Sequence, residues 1–86
     1  MNKLRRKELA KIMDKLERLD ALREEIREEL AAIRDEEQEA LDNLPESLQE
    51  SERGEQMQEY IDIMENVTGE LDLFDVADLV DQLGGI

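Results

Sequence analysis

The side chains with chemical potential in this 86-residue chain are almost all carboxylates, 25 in number, with no histidine and no cysteine. Several stand side by side: Glu24 with Glu25, Glu28 with Glu29, and Asp35 with Glu36 and Glu37. General acid–base work needs such groups in a concave, partly dry site that moves their pKa values apart. Charged helices with open faces supply none, so these pairs are expected to be solvated and the chain is not expected to be an enzyme. Asp72, Asp75, Asp78 and Asp81 recur every third residue. A calcium loop instead sets Asp or Asn at alternating positions around a glycine turn with a bidentate Glu. On a helix these four would rotate around the axis, so no metal site is expected. Without Cys or His, disulfides, zinc sites, thiol nucleophiles and the usual near-neutral proton shuttle are absent. Neither a phosphate loop nor an aromatic stacking platform can be read in the chain, and no cofactor is expected.

Charge is the strongest remaining signal. The net value of −14 is unevenly placed. Residues 1–15 carry six bases against Glu8 and Asp14, whereas residues 35–86 carry seventeen acids against Arg53 alone. A basic tip on an acidic body follows whatever the fold. Such a body repels nucleic acid and attracts basic protein surfaces. The tip could touch phosphate, but pairing with acidic neighbours, including those of a second copy, is the expectation. No apolar run approaches a membrane span. The opening MNKLRRKELAKIM is interrupted by Lys and Glu before any apolar stretch forms, which argues against a signal peptide and for a cytoplasmic protein.

The elements that must position these charges are helices. Charged residues make up 42% and hydrophobic residues 40%, with four Gly and one Pro, a composition of long amphipathic helices. From Leu9 the apolar spacing alternates three and four through Ile12, Leu16, Leu19, Ile26, Leu30, Ile33, Ala40 and Leu44, interrupted at Arg23 and Glu37. This is a coiled-coil seam on one helix over about residues 3–43. Pro45 pushes the preceding residue out of the α region and can itself occupy the first turn of a short helix. Ser47 with Glu50 has capping-box spacing, and Ser51 is a second N-cap candidate. A turn over about 44–51 is therefore expected rather than a kinked rod.

A second stripe runs Met57, Tyr60, Met64, Val67, Leu71 and Phe74 on a helix over about 52–83. The fold class expected is all-α: an antiparallel two-helix coiled-coil hairpin in a single domain over 1–86. Folded about residues 48–49, it pairs Ala40 with Met57, Ile33 with Met64, Leu30 with Val67 and Ile26 with Leu71. Glu37 then faces Tyr60 and Arg23 faces Phe74, for hydrogen bonding and guanidinium stacking respectively, unless both polar side chains reach to water. Gly69 is a candidate break, beyond which a short C-terminal helix would separate, and Gly84 is a candidate C-cap. The C-terminal end would lie against Leu16 and Leu19, leaving Leu4, Leu9, Ile12 and Met13 overhanging. Leu73, Val76, Leu79, Val80 and Leu83 make a broad apolar face, expected to serve self-association or partner binding. Unburied apolar residues favour a dimer.

Residues 34–62, RDEEQEALDNLPESLQESERGEQMQEYID, resemble a family of small, acidic, helical proteins encoded by phages and prophages. The resemblance covers about a third of the chain and is carried by DNLPESLQESERGE. It implies a host-cell context and no particular activity. VTGELDLFDVADLVDQLGGI stands where relatives continue with Ala- and Glu-rich coiled-coil turns, marking the C-terminal third as the place for a chain-specific partner.

Two functional expectations follow. One is an inhibitor that binds the basic surface of a host nucleic-acid-handling or defence protein, such as a nuclease or CRISPR-type effector, by mimicking nucleic acid. Glu36, Glu39, Glu52, Glu55, Glu59, Asp62 and Glu65 would form its binding surface. On a hairpin about 50 Å long, the acidic two-thirds would present about one charge per 3 Å, around half the density of duplex DNA. The other is a structural coiled-coil homo-oligomer whose charges keep it dispersed. Direct nucleic-acid or membrane binding is not expected.

Overall fold

The computed structural model describes residues 1–86. It is an elongated all-α structure, 87% helical and without strands, measuring 68 × 15 × 13 Å. The order is α1 (Lys3–Asp42), α2 (Glu46–Gln49), α3 (Glu52–Leu73) and α4 (Val76–Gly84). Both α3 and α4 pack along α1, and α2 packs on α3.

α1 runs unbroken for 40 residues because strong helix formers fill it and neither Gly nor Pro interrupts it. Asn2 caps its start, the side-chain oxygen accepting from the Arg5 N–H at 2.8 Å. Its far end is closed from outside. Gln49 Nε2 donates to the carbonyls of Leu44 at 2.9 Å and Asp42 at 3.3 Å, satisfying acceptors that helix termini leave free. Pro45 stands one position earlier than expected, as the extended N-cap of α2 rather than within its first turn. The Ser47–Glu50 box does not form. Ser51 is the N-cap of α3, but its hydroxyl donates back to the Leu48 carbonyl instead of capping α3.

Gly69 lies inside α3 and does not break it. The interruption comes at Phe74 and Asp75, where Asp75 accepts from the Asp78 N–H at 3.0 Å and starts α4. An interior glycine costs a helix only about 1 kcal/mol of backbone entropy, whereas Asp75 offers an acceptor that starts a new helix. At the other end Gly84 is the last residue of α4 and Gly85 the C-cap, with φ of −77° and no left-handed turn.

The packed surfaces are rotated from those read in the sequence. On α1 the inward positions are Leu9, Met13, Leu16, Asp20, Arg23, Arg27, Leu30, Arg34, Glu37 and Leu41, in a four-three alternation that Leu44 continues beyond the helix, with Glu24, Ala31 and Gln38 half-buried on the ion-paired flank. Ile12, Leu19, Ile26 and Ile33, expected in the seam, are 42–54% exposed, and Ala40 is exposed with them. On α3 the inward set is Gly54, Met57, Ile61, Met64, Thr68 and Leu71, while Tyr60, Val67 and Phe74 turn outward. The shared rows hold, and the neighbouring row on each helix is exchanged for the one on its other flank.

Gly54 opens the inward row of α3. A Cβ there would stand 2.1 Å from the Gln49 carbonyl oxygen, so α3 can start this close to α2 only at a glycine. In the same row Ile61 is fully buried toward α1, while Tyr60 turns away from it. Thr68 tolerates an inward position because its hydroxyl donates to the Met64 carbonyl at 2.9 Å. Only Leu41, Ile61 and Val76 form a buried apolar core.

Contacts between side chains show which parts of the later helices lie along α1. Arg34 meets Glu65, Arg27 meets Asp72, and Gly84 lies beside Met13. The overhang is shorter than expected. Leu9 and Met13 join Arg6, Ala10, Leu83, Gly84 and Ile86 around a groove of about 220 Å³, leaving Leu4 and Ile12 uncovered.

Candidate functional site

Two faces of this body differ in kind. On one face, charged side chains tie the helices together. Arg34 Nε donates to Glu65 at 2.9 Å and its Nη1 to Asp35 at 3.2 Å, while Arg27 pairs with Asp72 and Glu24. Glu65 first, then Asp35, raise the Arg34 pKa above its ordinary value, so this guanidinium stays charged throughout any usable pH range.

Arg23 makes the most specific link. Its Nη1 donates to the Leu71 carbonyl at 3.0 Å, at the end of α3, while Nε donates to Asp20 at 3.0 Å and Nη2 to Glu24 at 3.3 Å. The hydrogen bond to Asp20 is the main cause of its raised pKa, which partial burial opposes. The expected stacking on Phe74 is thus replaced by capping of a helix end: the Leu71 carbonyl accepts the Phe74 N–H at 3.3 Å and keeps a second lone pair for the guanidinium. Glu37 makes no hydrogen bond to Tyr60, which turns away from the α1–α3 contact.

The opposite face is apolar. Successive members of a seven-residue repeat keep one direction on a packed helix, and positions three residues after a seam position fall on its flank. Ile12, Leu19, Ile26 and Ile33 occupy that flank on α1. Tyr60, Val67 and Phe74 occupy it on α3, and Leu79 continues it on α4. Because α3 runs opposite to α1, the two flanks turn toward the same side. Leu22 and Ile63 border it at 51% and 53% exposure.

Glu36, Glu39, Glu52, Glu55, Glu59, Asp62 and Glu65 are all exposed, but they do not form one surface. Glu39, Glu52 and Glu59 lie on outer edges, Glu55, Asp62 and Glu65 toward the ion-paired face, and Glu36 toward the apolar one. Glu65 is engaged with Arg34, and Asp62 accepts from Gln58 at 2.9 Å. The C-terminal apolar face also divides. Val76, Val80 and Leu83 turn toward α1, Leu79 joins the exposed apolar face, and Leu73 is 84% exposed on the outer edge.

Asp72, Asp75 and Asp78 have separate partners: Arg27, the Asp78 N–H and Gln82. No group of three or more carboxylates is placed to hold a metal ion. The larger cleft, about 390 Å³, lies at the turn between Gln38, Leu41, Asp42, Gln49, Gly54, Glu55 and Gln58. It is open, and only Leu41 among its lining residues is apolar. No helix is long and apolar enough to cross a membrane.

The sequence reading missed the apolar face as an exposed surface because it placed the same residues inside. The signal was present in the second flank of each heptad, where Met13, Leu41, Ile61 and Thr68 offered an alternative seam. No protein-family model matches the chain, and no curated protein or solved structure shows significant similarity to it.

Proposed function

We propose that this chain is a protein-binding module of phage type, an antiparallel coiled-coil hairpin that occupies a basic surface of a host nucleic-acid-handling or defence protein and inhibits it. The observation that carries this reading is the one-sided charge of the body. Everything after residue 34 holds seventeen acids against Arg53 alone, and the seven acidic positions assigned to binding all reach solvent. The resemblance of residues 34–62 to phage-encoded acidic proteins supports the host context.

The extent of the body narrows the mechanism. Spread along 68 Å, that charge amounts to roughly one per 4 Å, against about 1.7 Å for duplex DNA. The carboxylates also surround the body instead of following two strand-like rows. Electrostatic steering onto a basic patch therefore suits the geometry better than close imitation of a duplex.

The test uses Glu39→Lys, Glu59→Lys and Asp62→Lys together, positions on the edges and ion-paired side that leave the Arg34–Glu65 pair intact. Capture of basic host proteins from lysate at low salt is expected to be lost, with helicity by circular dichroism unchanged. Capture that survives both these reversals and high salt would sink the reading.

A second reading, a structural homo-oligomer with no inhibitory role, is favoured by the exposed apolar face. It predicts self-association without salt-sensitive capture of other proteins.

A further inference from the structure

The elongated body exposes more surface than a compact chain of its mass, and one side of that surface is the apolar face. The accessible surface is 6656 Å². A compact monomer of 10.0 kDa exposes about 5,200 Å², so the excess is roughly 1,400 Å². A specific dimer buries about 800 Å² per partner, which one face of a 68 × 15 Å body can supply.

We propose that a second copy of this chain covers this face, stacked in reverse so that α1 lies along α1 of the partner with the ends exchanged. The proposal deepens the self-association reading above by fixing its face and direction. Three observations support it.

The apolar row is centred on its helix. Ile12 lies nine residues after the first residue of α1, and Ile33 nine before the last. Reversed stacking therefore sets Ile12 against the partner's Ile33 and Leu19 against the partner's Ile26, while the two α1 helices overlap end to end. Leu22 falls beside the two-fold axis, next to the partner's Leu22. Phe74 is level with that point, because Arg23 and Arg27 reach Leu71 and Asp72.

Charge selects the direction. Reversal lays the basic tip, Lys3 to Lys11, along the partner's Asp35, Glu36, Glu37, Glu39 and Asp42. Same-direction stacking would instead bring the two basic tips together.

The border row supplies a register mark. Glu8, Lys15, Leu22, Glu29 and Glu36 share one edge of the face, being seven residues apart. Reversal pairs Lys15 with the partner's Glu29 and Glu8 with the partner's Glu36, each twice over, the second being the like-charged contact.

Sedimentation equilibrium of the full chain is expected to give twice the chain mass in the micromolar range. The native chain has no cysteine, so Leu22→Cys is expected to form a disulfide-linked dimer on mild oxidation. Glu8→Lys should tighten the dissociation constant severalfold. Leu19→Glu with Ile26→Glu, both already exposed in the protomer, should yield a monomer that keeps its helicity by circular dichroism and a cooperative thermal transition. A monomeric native chain throughout that range overturns the proposal, as does a dimer that survives the double Glu variant. A dimer that links through Arg5→Cys and not through Leu22→Cys overturns the reversed direction. Salt-sensitive capture of basic host proteins is read separately, so failure of the dimer leaves the binding reading standing or falling on its own test.

Discussion

Gly54 has an influence out of proportion to its size. It is buried where α3 starts against the backbone of α2, and no other residue fits that approach. Gly54→Ala should cost about 1–3 kcal/mol through overpacking and lower the thermal midpoint, with displaced backbone amide shifts centred on Gln49 and Ser51. An unchanged midpoint would mean that α2 gives way freely. Asp75 works by the opposite means, adding an acceptor where the chain turns. Asp75→Ala should cost about 0.5–2 kcal/mol, and hydrogen exchange should show α4 opening faster while α1 is unaffected. Both residues were open to reading in the sequence, as a glycine three residues after a cap candidate and as an Asp-x-x-Asp start. Gly69 and Ser47 carried stronger formal signals, and packing overrode them.

At the scale of the element, helix extents were legible and helix rotation was not. Composition and Pro45 place the end of α1 to within one residue, since helix formers and proline act locally. Rotation depends on which of two flanking rows a partner helix chooses. Ile12, Leu19, Ile26 and Ile33 are more apolar than Met13, Asp20, Arg27 and Arg34, so hydrophobicity alone chose the wrong flank. The charged row is inside because Arg27 and Arg34 find Asp72 and Glu65 across the contact, while their stems cover apolar neighbours. The comparison of Ile61→Ala with Tyr60→Ala tests the rotation directly. In the Leu19→Glu, Ile26→Glu background, where that face is uncovered, loss of the fully buried Ile61 should cost about 2–5 kcal/mol, and loss of the half-exposed Tyr60 far less, by chemical denaturation. Equal costs would contradict the observed seam.

For the whole molecule, the scarcity of core is the governing fact. Three buried apolar side chains in 86 residues leave little cooperative stability for an isolated protomer. The Cα radius of gyration is 20.0 Å, and side-by-side reversal adds thickness with no length. Small-angle scattering should therefore report doubled mass with a maximum dimension still near 68 Å. End-to-end association would lengthen the particle instead and exclude a stacked pair. The carboxylates assigned to binding were identifiable individually from the sequence. Their dispersal around the body was not, because it follows from the rotation of α3.

The unequal ends of the body also have an electrical meaning. The tip is positive, and residues 35–62, which build the turn end, hold eleven acids against Arg53 alone. A single protomer is therefore a long electric dipole as well as an anion, and turns its positive tip toward any negative surface even though its net charge is repelled. In a reversed pair the two dipole vectors point oppositely and cancel. Pairing would thus convert a molecule that orients in a field into one that only drifts in it, a change that dielectric relaxation can follow without any label.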